Sequence, residues 1–176
     1  MQKEWPVRKN IRLKEYDYSR DGYYFITICT HERKNTLALI RRDDPSGRPI
    51  IELTELGKIC LNTLNEIENK HNISIPKYII MPDHIHIIIT ILNENAQNTE
   101  RTTARVVPTI GAIIGGYKSM ISNAWLKKCK ECDIYMGEIW QSRFHDHIIR
   151  DESEYRRIWQ YIDENPARWS EDGYYV

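Results

Sequence analysis

Two histidines one residue apart, His84 and His86, lie within a run of isoleucines in the segment MPDHIHIIIT, residues 81–90. In a strand, successive side chains point to opposite faces, so both imidazoles project from one face, about 6.6 Å apart along the chain. Two imidazoles on one face can bind a single cation, although histidines that merely face solvent have the same spacing. Imidazole suits zinc better than magnesium, so the pair predicts a metal site without identifying the metal.

The elements around this strand follow from apolar periodicity and turn signals. The predicted strands are residues 21–30, 73–81, 84–92 and 144–150, and the predicted helices are residues 53–71, 110–130 and 153–165. The order strand, helix, strand, strand, helix, strand predicts an α+β, ferredoxin-like sandwich. We expect a central antiparallel sheet that carries the histidines, with the helices packed on its other, isoleucine-rich face.

Length and composition predict one domain over residues 1–176, in which residues 1–20 form a basic leader and residues 93–107 a mobile loop. The 25 Lys and Arg residues balance 25 Asp and Glu residues, so any affinity for nucleic acid depends on local clusters. The N-terminus lacks the apolar core of a signal peptide, and no apolar run approaches the ~20 residues that span a bilayer. We therefore expect a cytoplasmic protein without membrane contact.

Five segments of the sequence, in order, resemble recurring blocks of the IS200-like tyrosine transposases, and most closely of the REP-associated tyrosine transposases. They are RKNIRLKEYDYSRDGYYFITICT, MPDHIH, IIGGYKSMIS, IWQSRFHDHIIRDESEY and YIDENPARW. The resemblance covers nearly the whole chain. It implies a single-stranded DNA endonuclease and strand transferase that cleaves and rejoins hairpin-bearing DNA through a 5′-phosphotyrosine.

Carried over residue by residue, the resemblance makes His84 and His86 the ligands of a divalent cation, Mg²⁺ or Mn²⁺, and Tyr117 the catalytic nucleophile. Tyr135 is the alternative nucleophile, whereas Tyr155 and Tyr161 are expected to pack in the final helix. Two further interpretations stay open, namely a DNA-binding module with weak or lost catalysis and a metal-dependent hydrolase without a covalent intermediate.

The sequence departs from the family pattern at the third metal ligand. Related transposases often place Gln or Asn one helical turn after the nucleophilic tyrosine, and the position one turn after Tyr117 is Ile121, which cannot bind a metal. The alternative ligands are water or a side chain of the segment that precedes or enters the last strand. Those side chains are Glu138, Gln141, His145 and His147.

Basic and aromatic clusters are typical of single-stranded DNA binding, because aromatic rings stack on bases and cations contact phosphates. The alternative is that the aromatic residues belong to the hydrophobic core and the charged side chains are solvated. The candidate DNA contacts are Arg8, Lys9, Arg12, Lys14, Lys118, Trp140, Arg143, His147 and Arg150. The expected partner is single-stranded or hairpin DNA, bound by a monomer or a homodimer.

Overall fold

A computed structural model describes residues 21–41, 48–71, 73–91 and 108–169. The predicted leader and the predicted loop at residues 93–107 lie outside the described residues. The same holds for the four candidate DNA contacts of the leader, Arg8, Lys9, Arg12 and Lys14.

A four-stranded antiparallel sheet forms the centre of the fold, as the sequence predicts. Its strands are β1 (Gly22–Cys29), β4 (Ser74–Ile80), β5 (His84–Ile91) and β6 (His145–Ile149), in the spatial order β4-β5-β1-β6. A long helix follows β1 and another follows β5 along the chain. Together with the strand order, this is the arrangement of a ferredoxin-like sandwich. Strand β5 lies inside the sheet and pairs with β1 and β4 along its length.

A second, two-stranded sheet was not predicted. Strands β2 (Ala38–Arg41) and β3 (Ile50–Leu53) pair antiparallel with Ala38 opposite Leu53. Residues 41–50 were expected to be a loop because they contain Pro, Gly and Asp. Arg41 instead belongs to β2, and Ile50 begins β3. Along the sequence, both strands lie between β1 and the first long helix.

Helices α1 (Glu55–His71) and α2 (Ile110–Glu131) cover the isoleucine face of the sheet. Thr54 caps α1, because its hydroxyl accepts a hydrogen bond from Gly57 N at 3.1 Å, and Thr109 caps α2 through Ala112 N at 3.2 Å. The apolar residues of both helices pack against Ile85, Ile87, Ile89 and Ile91, as the alternation along β5 predicts.

Helix α3 (Glu152–Arg168) packs on the opposite face, which corrects the expectation that the helices lie on one face only. Its buried Ile158 and Ile162 contact Ile88 and Ile149, so the histidine-bearing face is also covered. The helix was predicted to end before Pro166 but continues to Arg168. A proline there removes one N–H donor in the last turn only, and the helix is not interrupted. In the described ranges, none of the three helices combines the length and the hydrophobicity that crossing a membrane requires.

Two glycines provide a paired test of this packing. A Cβ at Gly57 would lie 2.1 Å from the carbonyl oxygen of Leu37, whereas a Cβ at Gly115 would meet nothing within 4 Å. We expect Gly57→Ala to lower the free energy of unfolding by about 1–3 kcal/mol through overpacking. Gly115→Ala should raise it by about 0.5–1 kcal/mol, because alanine restricts the unfolded chain. Urea denaturation measures both changes, and a tolerated Gly57→Ala would contradict the close approach of α1 to Leu37.

Candidate functional site

The two histidines of β5 lie side by side and are buried rather than solvent-facing. His84 and His86 are each 5% exposed, and their ring centroids are 4.4 Å apart. Their shared face carries both rings as the alternation predicts, and it is buried because α3 lies over it. Trp169, directly after α3, lies near His84 with ring centroids 6.1 Å apart.

His84 has one ring nitrogen with a partner and one without. The carboxylate of Asp83 lies 2.6 Å from Nδ1 of His84 and can only accept, so Nδ1 carries the proton. Nε2 is buried and has no hydrogen-bond partner among the described residues. In the neutral form of the ring, which is the form that binds a metal ion, the lone pair is therefore on Nε2.

His86 has a hydroxyl at each ring nitrogen. Thr27 Oγ1 lies 2.9 Å from Nδ1, and the hydroxyl of Tyr161 lies 3.2 Å from Nε2. Burial holds the pKa of His86 well below its usual value of 6.5, and repulsion from Arg33, and from His84 whenever that ring is protonated, lowers it further. The ring is therefore neutral at physiological pH, so a lone pair is available on one nitrogen.

Helix α3 places Tyr161 beside the pair, and a second polar side chain, Asn165, lies on the same face of the helix. The ring of Tyr161 contacts His86, with centroids 5.2 Å apart at an interplanar angle of 62°. Asn165 follows one helical turn later, so it lies on the same face of α3. Asn165 is 1% exposed, and neither Oδ1 nor Nδ2 has a hydrogen-bond partner in the described part of the chain.

Comparison with known proteins gives two sequence relatives, both from Haemophilus influenzae. The chain is 31% identical over 179 residues to an uncharacterized protein, covering 96% of this chain and 93% of that protein, and it belongs to the same family. It is 24% identical over 157 residues to a protein provisionally named a REP-associated tyrosine transposase, covering 86% of this chain and 74% of that protein. No family model matches the sequence.

The solved structure of a REP-associated tyrosine transposase bound to a REP hairpin shares the fold. The TM-score is 0.57 at 19% identity, and the match covers 90% of this chain and 74% of that chain. This chain therefore has the fold of a REP-associated tyrosine transposase. The resemblance predicted from the five ordered segments is confirmed, and so is the fold class.

The structure places Tyr117, the predicted nucleophile, away from the two histidines. Tyr117 is fully buried between α1 and the isoleucine face, on the side of the sheet opposite to the histidines. Its hydroxyl donates to the carbonyl oxygen of Cys60 at 3.0 Å. Burial, then the Cys60 side chain, raise the pKa of Tyr117 well above its usual value, which keeps the phenol neutral.

Tyr161 was expected only to pack, and sequence reasoning missed its position at the site. A signal was present, because Asn165 stands four residues after Tyr161, at the Gln or Asn spacing that Ile121 breaks after Tyr117. The alternative nucleophile Tyr135 is 94% exposed and lies between α2 and β6, where it lines a different cavity.

The proposed alternatives for a third ligand do not join the pair. His145 is exposed on β6, separated from His86 by β1, which places it about 10 Å away at the usual strand spacing. His147 pairs with Glu154 at 2.8 Å, and Glu138 pairs with His31 at 2.9 Å. The backbone N–H of Gln141 donates to Cys29 O. In the described ranges, no three His, Cys, Asp or Glu side chains form a group that could hold a metal.

The predicted DNA contacts among the described residues fall into two groups. Arg143, His147 and Arg150 are exposed near the ends of β6. Lys118 instead ties α2 to the segment before β6, because its ammonium donates to the carbonyl oxygens of Gln141 at 2.9 Å and Arg143 at 3.0 Å. Trp140 is half-buried against the main core, and its buried Nε1 has no partner among the described residues. A structural role explains Lys118 without DNA.

The depressed pKa of His86 predicts a pH dependence of stability. Below about pH 6.5 the unfolded chain takes up a proton at this histidine that the folded protein does not, so acidification destabilises the fold. The full stability of the fold is present above the pKa of this histidine in the unfolded chain. It is lost as the pH falls towards the lower pKa of His86 in the folded protein. We expect the unfolding free energy of wild type, relative to His86→Gln, to fall by about 1.4 kcal/mol per pH unit in that window. Urea denaturation between about pH 7.5 and pH 5 measures it, and parallel curves would contradict the burial of a neutral imidazole.

Proposed function

We propose that this protein is a single-stranded DNA endonuclease and strand transferase, in which Tyr161 is the nucleophile and a divalent cation binds beside it. The observation that carries the proposal is the contact between the Tyr161 hydroxyl and Nε2 of His86, at 3.2 Å. It brings together, on one face of the sheet, the two residue types that tyrosine transesterification needs.

The chemistry follows from a phosphodiester, whose negative charge repels a nucleophile. The oxygen of Tyr161 forms a bond to phosphorus while the bond from phosphorus to the 3′ oxygen breaks. The phenolic proton leaves to solvent, and the departing 3′ oxygen gains a proton. The 5′-phosphotyrosine conserves the energy of the broken bond, so rejoining to a 3′ hydroxyl needs no ATP.

The residues present fit a divalent cation. Nε2 of His84 is a buried nitrogen without a partner among the described residues, and His86 is a neutral imidazole. We propose that Nε2 of His84, a ring nitrogen of His86 and Oδ1 of Asn165 hold Mg²⁺ or Mn²⁺. The amide oxygen is the kind of donor that Mg²⁺ and Mn²⁺ prefer, whereas two imidazoles alone would suit zinc better. When bound, the cation neutralises phosphate charge and polarises the non-bridging oxygens.

The proposed DNA partner is a single strand that forms a hairpin. The solved structure of a REP-associated tyrosine transposase is bound to a REP hairpin, and in this chain the exposed Arg143 and Arg150 flank β6, which β1 separates from the histidine strand. Their phosphate contacts would make binding weaker at higher salt. Both histidines, Tyr161 and Asn165 come from one chain, so we expect a monomer to be sufficient for cleavage.

The test of the nucleophile is a pair of matched tyrosine variants. The protein is incubated with Mn²⁺ and hairpin DNA that carries a label on the 5′-phosphate side of the cleavage site, then run on a denaturing gel. Wild type and Tyr117→Phe should retain label on the protein, whereas Tyr161→Phe should retain none, because only the attacking oxygen is removed. Tyr117→Phe should cost about 1 kcal/mol of stability, from one buried hydrogen bond.

A label retained by Tyr161→Phe and lost in Tyr117→Phe would reverse the assignment. Turnover of DNA by wild type without any adduct would favour a hydrolase that uses water. Binding of several hairpins without cleavage or adduct would favour a DNA-binding module.

A second prediction concerns Asn165, whose buried amide has no hydrogen-bond partner within residues 21–41, 48–71, 73–91 and 108–169. Replacing it by leucine removes two unpaired polar atoms from an apolar environment, so the unfolding free energy should stay equal or rise. The same change removes the proposed oxygen ligand, so Mn²⁺-dependent adduct formation should fall by about 10-fold or more. Thermal denaturation and the label assay report the two effects separately. A leucine variant that is strongly destabilised would indicate that the amide has a structural partner.

A further inference from the structure

We propose that Asp83 and Arg33 are positioning residues that fix the imidazole of His84 in one tautomer and one orientation for the cation. The inference rests on the proposed function, since the cation is part of it. The proposed function names the side chains that would contact the ion. The inference adds the two residues that hold one of those side chains, His84.

Asp83 has both carboxylate oxygens engaged. It is 6% exposed, and its Oδ1 lies 2.6 Å from Nδ1 of His84 while its Oδ2 lies 2.9 Å from Nε of Arg33. A buried carboxylate is costly unless it is paired, and the guanidinium of Arg33 provides the opposite charge. The ion pair keeps Asp83 an acceptor, so the proton of His84 stays on Nδ1 and the lone pair on Nε2.

The backbone around Asp83 is held at three points. Met81 N donates to His84 O at 2.8 Å, which closes the turn between β4 and β5. Thr30 N donates to Asp83 O at 2.9 Å, and Leu37 N donates to Pro82 O at 2.9 Å. The residues after β1 therefore fix the turn, and the carboxylate has little freedom to leave the imidazole.

Arg33 reaches this carboxylate from an unusual backbone conformation. Glu32 and Arg33, in the short 3₁₀ helix His31–Arg33, have φ values of 52° and 56°. This left-handed region is unfavourable for non-glycine residues, and such conformations persist where other contacts determine them. The contacts here are the Arg33 guanidinium with Asp83 and, at 2.9 Å, with Sγ of Cys29, the residue paired with His84 across the sheet.

The first test measures Mn²⁺ affinity by isothermal titration calorimetry in the absence of DNA. We expect the Kd to rise about 10- to 100-fold in Asp83→Ala, the usual effect of removing a carboxylate behind a metal-binding histidine. Asp83→Asn, which keeps an acceptor for Nδ1 but loses the charge facing Arg33, should recover part of the affinity. Glu154→Gln is the matched control, because it alters an exposed carboxylate–histidine pair on the same face, and its Kd should equal that of wild type.

The second test reads the tautomer directly, by ¹⁵N NMR of the imidazoles in the metal-free protein. His84 should be protonated at Nδ1 in wild type and in Asp83→Asn, and should become a mixture of tautomers in Asp83→Ala. Circular dichroism establishes that each variant is folded, and the asparagine variant serves if the alanine variant is not.

The outcomes separate the two proposals. If wild type binds Mn²⁺ and both Asp83 variants bind it equally well, the positioning role is overturned while the proposed function stands. If wild type binds no Mn²⁺ and is no different from His84→Ala, the metal site of the proposed function is overturned. A single unchanged tautomer in Asp83→Ala overturns the positioning role whatever the metal result is.

Discussion

The burial of two imidazoles between a sheet and a helix is the constraint on which the arrangement of the site depends. Each ring nitrogen withdrawn from water without a partner costs about 1–3 kcal/mol. Three of the four nitrogens have partners, in Asp83, Thr27 and Tyr161. The fourth, Nε2 of His84, has none in the described part of the chain, and stability alone gives no reason to bury it. The proposed ligand role for that nitrogen would account for the cost.

The main core and the proposed site lie on opposite faces of the sheet. The face beneath α1 and α2 is apolar, and Tyr117 belongs to it as a core residue whose hydroxyl is satisfied by α1. The face beneath α3 combines an apolar cluster around Ile88 with the polar site at its other end. An ion pair between Lys77 of β4 and Asp163 of α3 links the helix to the sheet beside Tyr161. The position of α3 therefore determines which tyrosine meets the histidines.

The fold could be predicted from the sequence because alternation and helical periodicity are local properties. Ile85 and Ile87 identify the core face of β5, and Thr54 and Thr109 mark helix starts that the structure confirms. Only part of the proposed site could be predicted, namely the histidine pair. A helical apolar stripe does not state which face of a sheet it will cover, so Tyr117 and Tyr161, both on such stripes, could not be distinguished by periodicity. The spacing of Asn165 was the local signal that could have decided between them.

The assembly of both histidines, Tyr161 and Asn165 within one chain has a kinetic consequence. If a second copy of the chain completed the site, only the dimer would be active. Once the dimer dissociated, the total activity would be proportional to the square of the protein concentration. A site complete in a single chain keeps the same rate per molecule on dilution, so its output is proportional to copy number. Such an enzyme remains competent in a cell that contains only a few molecules of it, and its control would have to act through synthesis or access to DNA rather than through assembly.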